Sequence, residues 1–509
     1  MAEQKHTVLF TNLYLGAFTG SELHVLELAR AFQEHGWDVT CYTFVKAYPL
    51  QVRFEESGIK VVEYGEEEQL DAYYDVLYAQ HHVVSDYLLA KFDIAFKHII
   101  VSMLGPLNAH ELPPSFAKDA DLAVFVSEEC RLAHAYAFED SDCRVEVFPN
   151  YANNQYFHAK KTPAAALSAI GVISNHVPHE LAELKQLLPE GVSIDYLGLN
   201  NCAIEVTPEV LSKYNLVVTI GRTVQCCMAM GIPVYCYDAF GGPGYLAPEM
   251  LDENARTNFS GRSHRVRLDP EELWKDITRG YVGCIGNLAD LRLYAWEHFC
   301  FEKNFDDLLG VIESLPVKEP QRNPAQKTPA WQGKCSLLAS STREKTLKQF
   351  GFAEWRYGDC PDVECEVLSF RYRYNTLISF EPDKHNEQPL KRFDPDRNSC
   401  ICNVITPGLS QSNANAHQDV DPVGSKDTFW HVDPIYRPND AWAGGEVQFY
   451  VQPTQVGLGT MSYLAWSREM NRRLASAEAE LRQKTRELSE CTKALEQIHE
   501  LASTHVEKD

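Results

Sequence analysis

The sequence predicts a mixed α/β chain: two successive α/β units with parallel sheets, then a β-sandwich, then a C-terminal coiled-coil helix. Three observations predict it. From residue 7 to residue 314, short apolar runs alternate with amphipathic stretches, the pattern of strands joined by right-handed helical crossovers. After a proline-rich stretch the helical periodicity gives way to strand-like runs between turn clusters. At the C-terminus, leucine recurs every seventh residue.

Size and composition bound the class. A chain of 509 residues is too long for one core, so several domains are expected. Apolar content of 45% with 11% aromatics is that of a globular protein. A net charge of −24 argues against nonspecific binding to nucleic acid or an anionic bilayer, both of which sum Lys and Arg contacts. No apolar run approaches the roughly 20 residues that span a bilayer, and the start MAEQKHTVLFTNLY has the character of a strand, not of a signal peptide. The fifteen cysteines are scattered, without a CxxC pair, so buried reduced thiols and a cytoplasmic setting are expected.

The first unit, 1–155, opens with the strand TVLFTNL at 7–13. A loop carrying Gly16 and Gly20 follows, then an amphipathic helix from Glu22 to His35, capped by Ser21 and closed by Gly36. Asp38 to Phe44 is a second strand. Ile59 to Tyr64, Val76 to Ala79, His98 to Met103 and Leu122 to Val126 are further strands. The second unit, 156–315, restarts the pattern. Strands are expected at Ala169 to Ser174, Val192 to Leu197, Leu216 to Ile220 and Ile232 to Tyr237. Helices are expected at Pro178 to Leu188, Pro208 to Tyr214, Thr223 to Met230, Pro270 to Tyr281 and Leu288 to Ser314. Residues 316–331, with four prolines, form an extended linker. The β-sandwich, 332–460, has strands at Cys335 to Ser340, Val367 to Tyr374, Thr376 to Phe380, Cys400 to Ile405 and Val447 to Gln452. In the coiled coil, 463–509, Leu474, Leu481, Leu488 and Leu495 hold the heptad, while Lys484 breaks the second row. Self-association through this helix is expected.

Candidate site residues gather at predicted strand ends. Gly16 to Glu22 joins the first strand to the first helix, whose free N–H groups suit an anion or a hydroxyl-rich ligand. The alternative is a plain turn. Ser174-Asn175-His176, Gly198 and Gly221-Arg222 end three strands of the second unit. A guanidinium there suits a diphosphate by bidentate pairing, or makes an ion pair. Gly241-Gly242-Pro243-Gly244 forms a glycine loop that lets backbone approach a ligand, or a tight crossover. His81-His82 and His110-Glu111 follow strands of the first unit. A histidine there can donate to a sugar hydroxyl or a leaving phosphate. The spacing of the first loop is not GxGxxG, so no dinucleotide site and no sugar-nucleotide epimerase is read from it.

These segments carry a resemblance. Gly20-Ser21-Glu22 before LHVLELARAFQEHGWDVTCYT, VFVSEEC at Val124 to Cys130, FPNYANNQYF at Phe148 to Phe157, GRTVQCCMAMGIPVYCYD, FGGPGYL and NFSGR at Asn258 to Arg262 resemble the GT-B glycosyltransferases of the retaining, family-four-like type found in bacterial surface-polysaccharide clusters. The resemblance covers about residues 5–310. It implies two Rossmann-like domains, a nucleotide-sugar donor on the second, and an acceptor on the first. It also implies retention of anomeric configuration, and no required metal or other cofactor. The donor would meet Gly20, Ser174, Asn175, Gly198, Gly221, Arg222, Gln225, Gly241, Gly242 and Gly244. The acceptor, lipid-linked or oligosaccharide, would meet Gly16, Glu22, His110 and Glu111. His82 and Arg222 would serve the chemistry. One departure stands out. The usual pair of glutamates falls near Val218 and on Cys226, and a thiol cannot make a carboxylate's bidentate ribose contact, so either Gln225 or Asn175 substitutes, or the donor is unusual, or the site is dead. Leu390 to Pro395 is similar to accessory β-sandwiches of polysaccharide glycosyltransferases, where Trp430, Tyr436 and Trp442 would stack on sugar rings or simply fill the core. The competing reading is a non-catalytic glycan-binding or assembly subunit on a degenerate scaffold.

Overall fold

The computed structural model describes residues 5–198, 205–322, 328–357, 366–374, 376–386, 388, 390–394, 400–404, 409–411, 417–421, 424–429, 436–438 and 444–453. The heptad segment 463–509, Trp430 and Trp442 lie outside the described residues.

The first lobe is built on β1 (Thr7–Leu15), β2 (Asp38–Lys46), β3 (Lys60–Glu63), β4 (Tyr73–Gln80), β5 (Ala95–Met103), β6 (Leu122–Phe125) and β7 (Arg144–Val147). All seven are parallel, in the order β3-β2-β1-β4-β5-β6-β7. The central strands are near-continuous apolar runs because both faces are covered. On one face, α1 (Gly20–Glu34) packs Val25, Leu28, Ala29 and Phe32 against Val8, Phe10 and Tyr78. Gly36, at φ 85°, ends that helix in the left-handed region where glycine is favoured. Also in this lobe are α2 (Leu50–Glu56), α3 (His82–Lys91) and α4 (Glu128–His134).

The second lobe follows α5 (Asn154–His158) and comprises β8 (Ala169–Ile173), β9 (Ser193–Leu197), β10 (Leu216–Thr219), β11 (Val234–Asp238) and β12 (Gly241–Tyr245). Their order is β12-β11-β10-β8-β9, with only β12 antiparallel among the described strands. The helix expected over 178–188 is two short turns, α6 (His179–Ala182) and α7 (Leu184–Leu187); α8 is Pro208–Leu211 and α9 is Arg222–Met230. The segment 241–244, expected as a loop, is the strand β12. A Gly242 Cβ would stand 1.9 Å from the Cys236 carbonyl oxygen, and a Gly241 Cβ 2.1 Å from that of Val266. Glycine is needed there because backbone packs on backbone.

The lobe continues with α10 (Leu251–Arg256), α11 (Pro270–Ile285) and α12 (Leu288–Phe299). The single helix expected over 288–314 is broken at Cys300, whose backbone is extended and hydrogen-bonded to Ala152 through its neighbours Phe299 and Phe301. The break has a packing cause. α12 buries Leu291, Ala295 and Phe299 in the second lobe, whereas α13 (Phe301–Glu313) buries Phe301, Phe305, Leu308 and Ile312 in the first. The chain thus crosses between the lobes twice, at 148–153 and 299–301, side by side.

The predicted linker pairs β13 (Gln321–Arg322) antiparallel to the start of β5. The expected strand Cys335 to Ser340 lies inside α14 (Pro329–Leu347). Thr328 caps this helix, accepting from the Trp331 N–H, and Pro329 occupies its first turn. Its buried face is Cys335, Ala339, Thr342 and Thr346, helical spacing hidden by small residue types. The remaining described strands are β14 (Phe350–Tyr357), β15 (Glu366–Arg373), β16 (Leu377–Phe380), β17 (Leu390–Asp394), β18 (Cys400–Val404), β19 (Leu409–Gln411), β20 (His417–Asp421), β21 (Gly424–Phe429), β22 (Tyr436–Pro438) and β23 (Val447–Pro453). They form two five-stranded sheets, β15-β14-β17-β22-β19 and β16-β23-β18-β21-β20. The sheets share one core, in which Trp355 stacks on Phe393 at 3.9 Å and meets Phe449. Tyr436 is 2% exposed within that core, so it is not a surface platform for sugar.

Candidate ligand cleft between the two lobes

Open parallel sheets bind ligands beyond the strand carboxyl ends, where successive crossovers leave in opposite directions. In the first sheet this point lies between β1 and β4, and in the second between β8 and β10. The flanking loops contain the residues that the sequence singled out: Gly16 to Glu22 and His81-His82, then Ser174 to His176 and Gly221-Arg222. Cross-lobe contacts bring elements at these ends together. Arg262 forks onto Glu129 of α4, with Nε at 2.9 Å and Nη2 at 2.5 Å. Asn150 donates to Asn258 Oδ1 at 3.0 Å. Arg222 Nη2 donates to Glu27 Oε1 of α1 at 2.5 Å.

On the second lobe, β10 turns into α9 through Gly221, at φ 61° and ψ −140°. Only glycine adopts this conformation at low cost. No atom lies within 4 Å of where a Gly221 Cβ would stand. The Cβ direction at Gly221, at the start of α9, is therefore open, while residues 221–223 are half-buried. Above it passes NFSGR, whose Phe259 carbonyl accepts from Gly221 N–H at 3.1 Å. Asn258 and Phe259 are both left-handed, at φ 55° and 49°. Two consecutive non-glycine residues there store strain of about 1–3 kcal/mol each, held by the surrounding contacts. Ser174 Oγ donates to Asp238 Oδ1 at 2.9 Å and accepts from His176 N–H at 2.9 Å. This bond spans the end of β10, which lies between β8 and β11. Burial raises the Asp238 carboxyl above its ordinary range. Asn175 and His176 are exposed. Gly198, at φ 134°, lies so close to β8 that a Cβ would stand 2.2 Å from the Ser174 carbonyl oxygen.

Arg222 departs from its expected role. Its head turns to Glu27 and lies 5.1 Å from the Tyr151 ring centre, beside the crossover segment. The side chains of Arg222 and Glu27 are 17% and 15% exposed. Burial would lower the guanidinium pKa, but the Glu27 carboxylate more than offsets it and holds the group firmly charged. The space in which a diphosphate was expected to meet this head is filled by these side chains. Gln225 is also engaged: its amide nitrogen meets the Gly221 and Arg222 carbonyls of its own helix at 2.5 and 3.1 Å. It is 1% exposed and does not reach outward. Burial pushes the Cys226 thiol up to about 11, against the pull of Arg222, so it is neutral.

The first-lobe candidates are likewise occupied internally. Glu22, fully buried, accepts from Ala17 N–H at 2.9 Å and Gly16 N–H at 3.4 Å. It takes up loop donors that were expected to face a ligand. Burial pushes its carboxyl up to about 8, despite the opposing hydrogen bond from Ala17 and the charge of Arg373. Gly16 packs on Ala47 and Phe350, with a notional Cβ 2.8 and 3.0 Å from them. Gly20 begins α1 in open space. His81, left-handed at φ 59°, accepts Leu13 N–H at Nδ1 over 3.0 Å. Its Nε2 therefore carries the proton and donates to Glu111 Oε1 at 3.2 Å. Glu111 Oε2 accepts Leu104 N–H at 2.8 Å. His82 sets one ring nitrogen 3.4 Å from Asp86 and the other 3.2 Å from the Ala109 carbonyl oxygen. Burial, then the neighbouring His81 and His82, depress His110 to about 3, so it stays neutral.

Sequence reading missed Glu27, Glu129, Tyr151 and Asp238. Glu27 lies on a helix of ordinary amphipathic pattern, and its partner is 195 residues away. Glu27, Glu129, Asn150, Asn258 and Arg262 all stand inside the motifs that carry the resemblance, but nothing in the sequence pairs them across the lobes. An open groove of about 590 Å³ lies beside the crossovers, lined by Ser127, Glu128, Phe148, Arg256, Tyr294 and His298 among others. None of the sequence-predicted site residues lines it. Among the described residues, no cluster of three His, Cys, Asp or Glu could hold a metal ion. No described helix is long and apolar enough to cross a membrane.

The fold and cleft define a class: a twin-lobed α/β protein with two parallel sheets whose carboxyl-end elements meet between the lobes. No protein-family model and no curated protein matches the sequence. Among solved structures, the chain is similar to a glycosyltransferase from Rickettsia africae, at 12% identity and a TM-score of 0.42, over 61% of this chain and 98% of that one. It is also similar to the lipopolysaccharide outer core galactosyltransferase WaaB, at 11% identity and 0.39, over 60% and 99%. A putative UDP-N-acetylglucosamine 2-epimerase from Listeria monocytogenes is similar at 12% and 0.37, over 61% and 97%.

Proposed function

We propose that this protein is a nucleotide-sugar-dependent glycosyltransferase, with the donor on the second lobe and the acceptor on the first. The observation that carries the reading is the paired arrangement of switch points, with Gly221 turning β10 into α9 beside one of them. In this reading, the diphosphate meets the α9 start and the exposed Asn175 and His176. Helix-start amides stabilise charge growing on the leaving group. The acceptor is a growing surface polysaccharide, lipid-linked or free, and transfer retains anomeric configuration without a metal or other cofactor. The enzyme works in the cytoplasm, at the inner membrane face, and associates through its heptad helix. These last particulars rest on the motif resemblance alone. A panel of nucleotide sugars tested by calorimetry and by product analysis decides the matter: at least one is expected to bind in the micromolar range and be transferred. No binding from the whole panel would sink the reading.

A second reading is a glycan-binding or assembly subunit that has lost catalysis. It is favoured by the engagement of Arg222 with Glu27 and by Cys226 in place of a carboxylate. Glycan binding with no nucleotide-sugar binding is its expected signature.

A further inference from the structure

The contact between Arg222 and Glu27 joins the two lobes beside their crossovers, and it is poorly matched. One guanidinium nitrogen meets one carboxylate oxygen. Arg222 Nη1 and Glu27 Oε2 are both buried without a hydrogen-bond partner, as are Asn153 Oδ1 and His24 Nε2 nearby. His24 is 4% exposed, and its Nδ1 lies 3.2 Å from the Tyr151 hydroxyl. Asn153 Nδ2 reaches the same Glu27 Oε1 at 3.5 Å. Two atoms of the ion pair itself and two beside it are thus unmet. A buried charge pair adds little stability over an apolar one, but the loss of one partner leaves the other uncompensated. A phosphate group, with several oxygens, can meet both Nη1 and Nη2, which the single contact from Glu27 does not.

We propose that the Glu27 carboxylate is a built-in competitor for an anionic ligand, holding Arg222 across the lobes until a diphosphate-bearing molecule takes its place. This rests on the donor reading above. Displacement removes one of the cross-lobe ties, leaving Arg262–Glu129, Asn150–Asn258 and the exposed pair Arg53–Glu205. Binding of the diphosphate and loss of this one tie are therefore one event: the ligand takes Arg222 only as far as it outcompetes Glu27.

Inorganic pyrophosphate is the probe, titrated calorimetrically into the full chain as wild type, Glu27→Gln and Glu27→Gln/Arg222→Gln. Glu27→Gln is expected to bind pyrophosphate at least about tenfold more tightly than wild type, and the double variant to lose that gain. Should Glu27→Gln fold poorly, Glu27→Asp, whose shorter carboxylate withdraws from Nη2, carries the same comparison with a smaller gain. Equal pyrophosphate affinity in wild type and in either single variant overturns the proposal, as does a gain that survives in the double variant. A wild type that transfers sugar while Glu27→Gln shows no gain sinks the competitor and leaves the enzyme reading. A gain without any nucleotide-sugar binding does the reverse.

Discussion

At the scale of single residues, the cleft is organised by buried polar groups whose partners come from distant sequence. Glu22 illustrates how burial and charge compete. Its carboxyl is raised from 4.5 to about 8, chiefly by desolvation. An acid with a raised folded pKa binds more protons folded than unfolded, so stability falls as pH rises between those values. The contribution is present in full below about 4.5 and is lost as pH climbs through about 8. Glu22→Gln keeps an oxygen for the Ala17 N–H without the ionisation. We expect its melting temperature to fall less than that of wild type between pH 6 and pH 8.5, measured by calorimetric scans. An identical pH slope in both proteins would show that Glu22 does not carry the effect. His110 is set by the same physics with the opposite sign for a base: burial keeps it neutral, so it does not supply a charge to the cleft.

At the scale of elements, glycine chemistry separates two segments that look alike in sequence. Gly221 is needed for a left-handed turn with open space beyond it, whereas Gly242 is needed because the β11–β12 hairpin brings backbone against backbone. Gly242→Ala is expected to destabilise the protein by about 3 kcal/mol, the scale of a rigid overpacked contact, read from the urea midpoint. An unchanged midpoint would mean that β12 shifts freely, and that the segment is a loop after all. The GGPG segment is thus explained by sheet packing without invoking a ligand. The break between α12 and α13 follows the same principle. The helical pattern runs through residues 288–314, but each half buries its apolar face in a different lobe.

At the scale of the whole molecule, the first lobe and the β-rich module are firmly joined. Arg371 pairs with Glu63 at 2.5 Å, Tyr48 N–H donates to the Arg371 carbonyl at 2.7 Å, and Phe350 packs on Gly16. The second lobe is tied by two chain crossings, by α13 and by ion pairs. Because α13 belongs to the first core by packing and to the second lobe by chain order, Phe305→Ala is expected to cost about 3–5 kcal/mol. Its 1% exposure and its edge-on contact with Phe32 at 5.2 Å place the loss in the first lobe. Hydrogen exchange would show first-lobe amides losing protection. Loss confined to the second lobe would contradict the packing seen here.

The α/β class and the two largely parallel sheets were legible in the amino-acid order. These follow from local periodicity and from glycine positions, which are properties of neighbouring residues. The helical character of α14 was hidden, since its buried face is Cys335, Ala339, Thr342 and Thr346 rather than large apolar residues. Which candidate groups are already engaged emerges only from the folded chain. Glu22, Glu111 and Gln225 carry the right chemistry but spend it on nearby backbone or side chains. Arg222 is claimed by a carboxylate from the other lobe. Local patterns fix where a side chain begins, but its partner is chosen by desolvation and charge across residues that meet only in the folded chain.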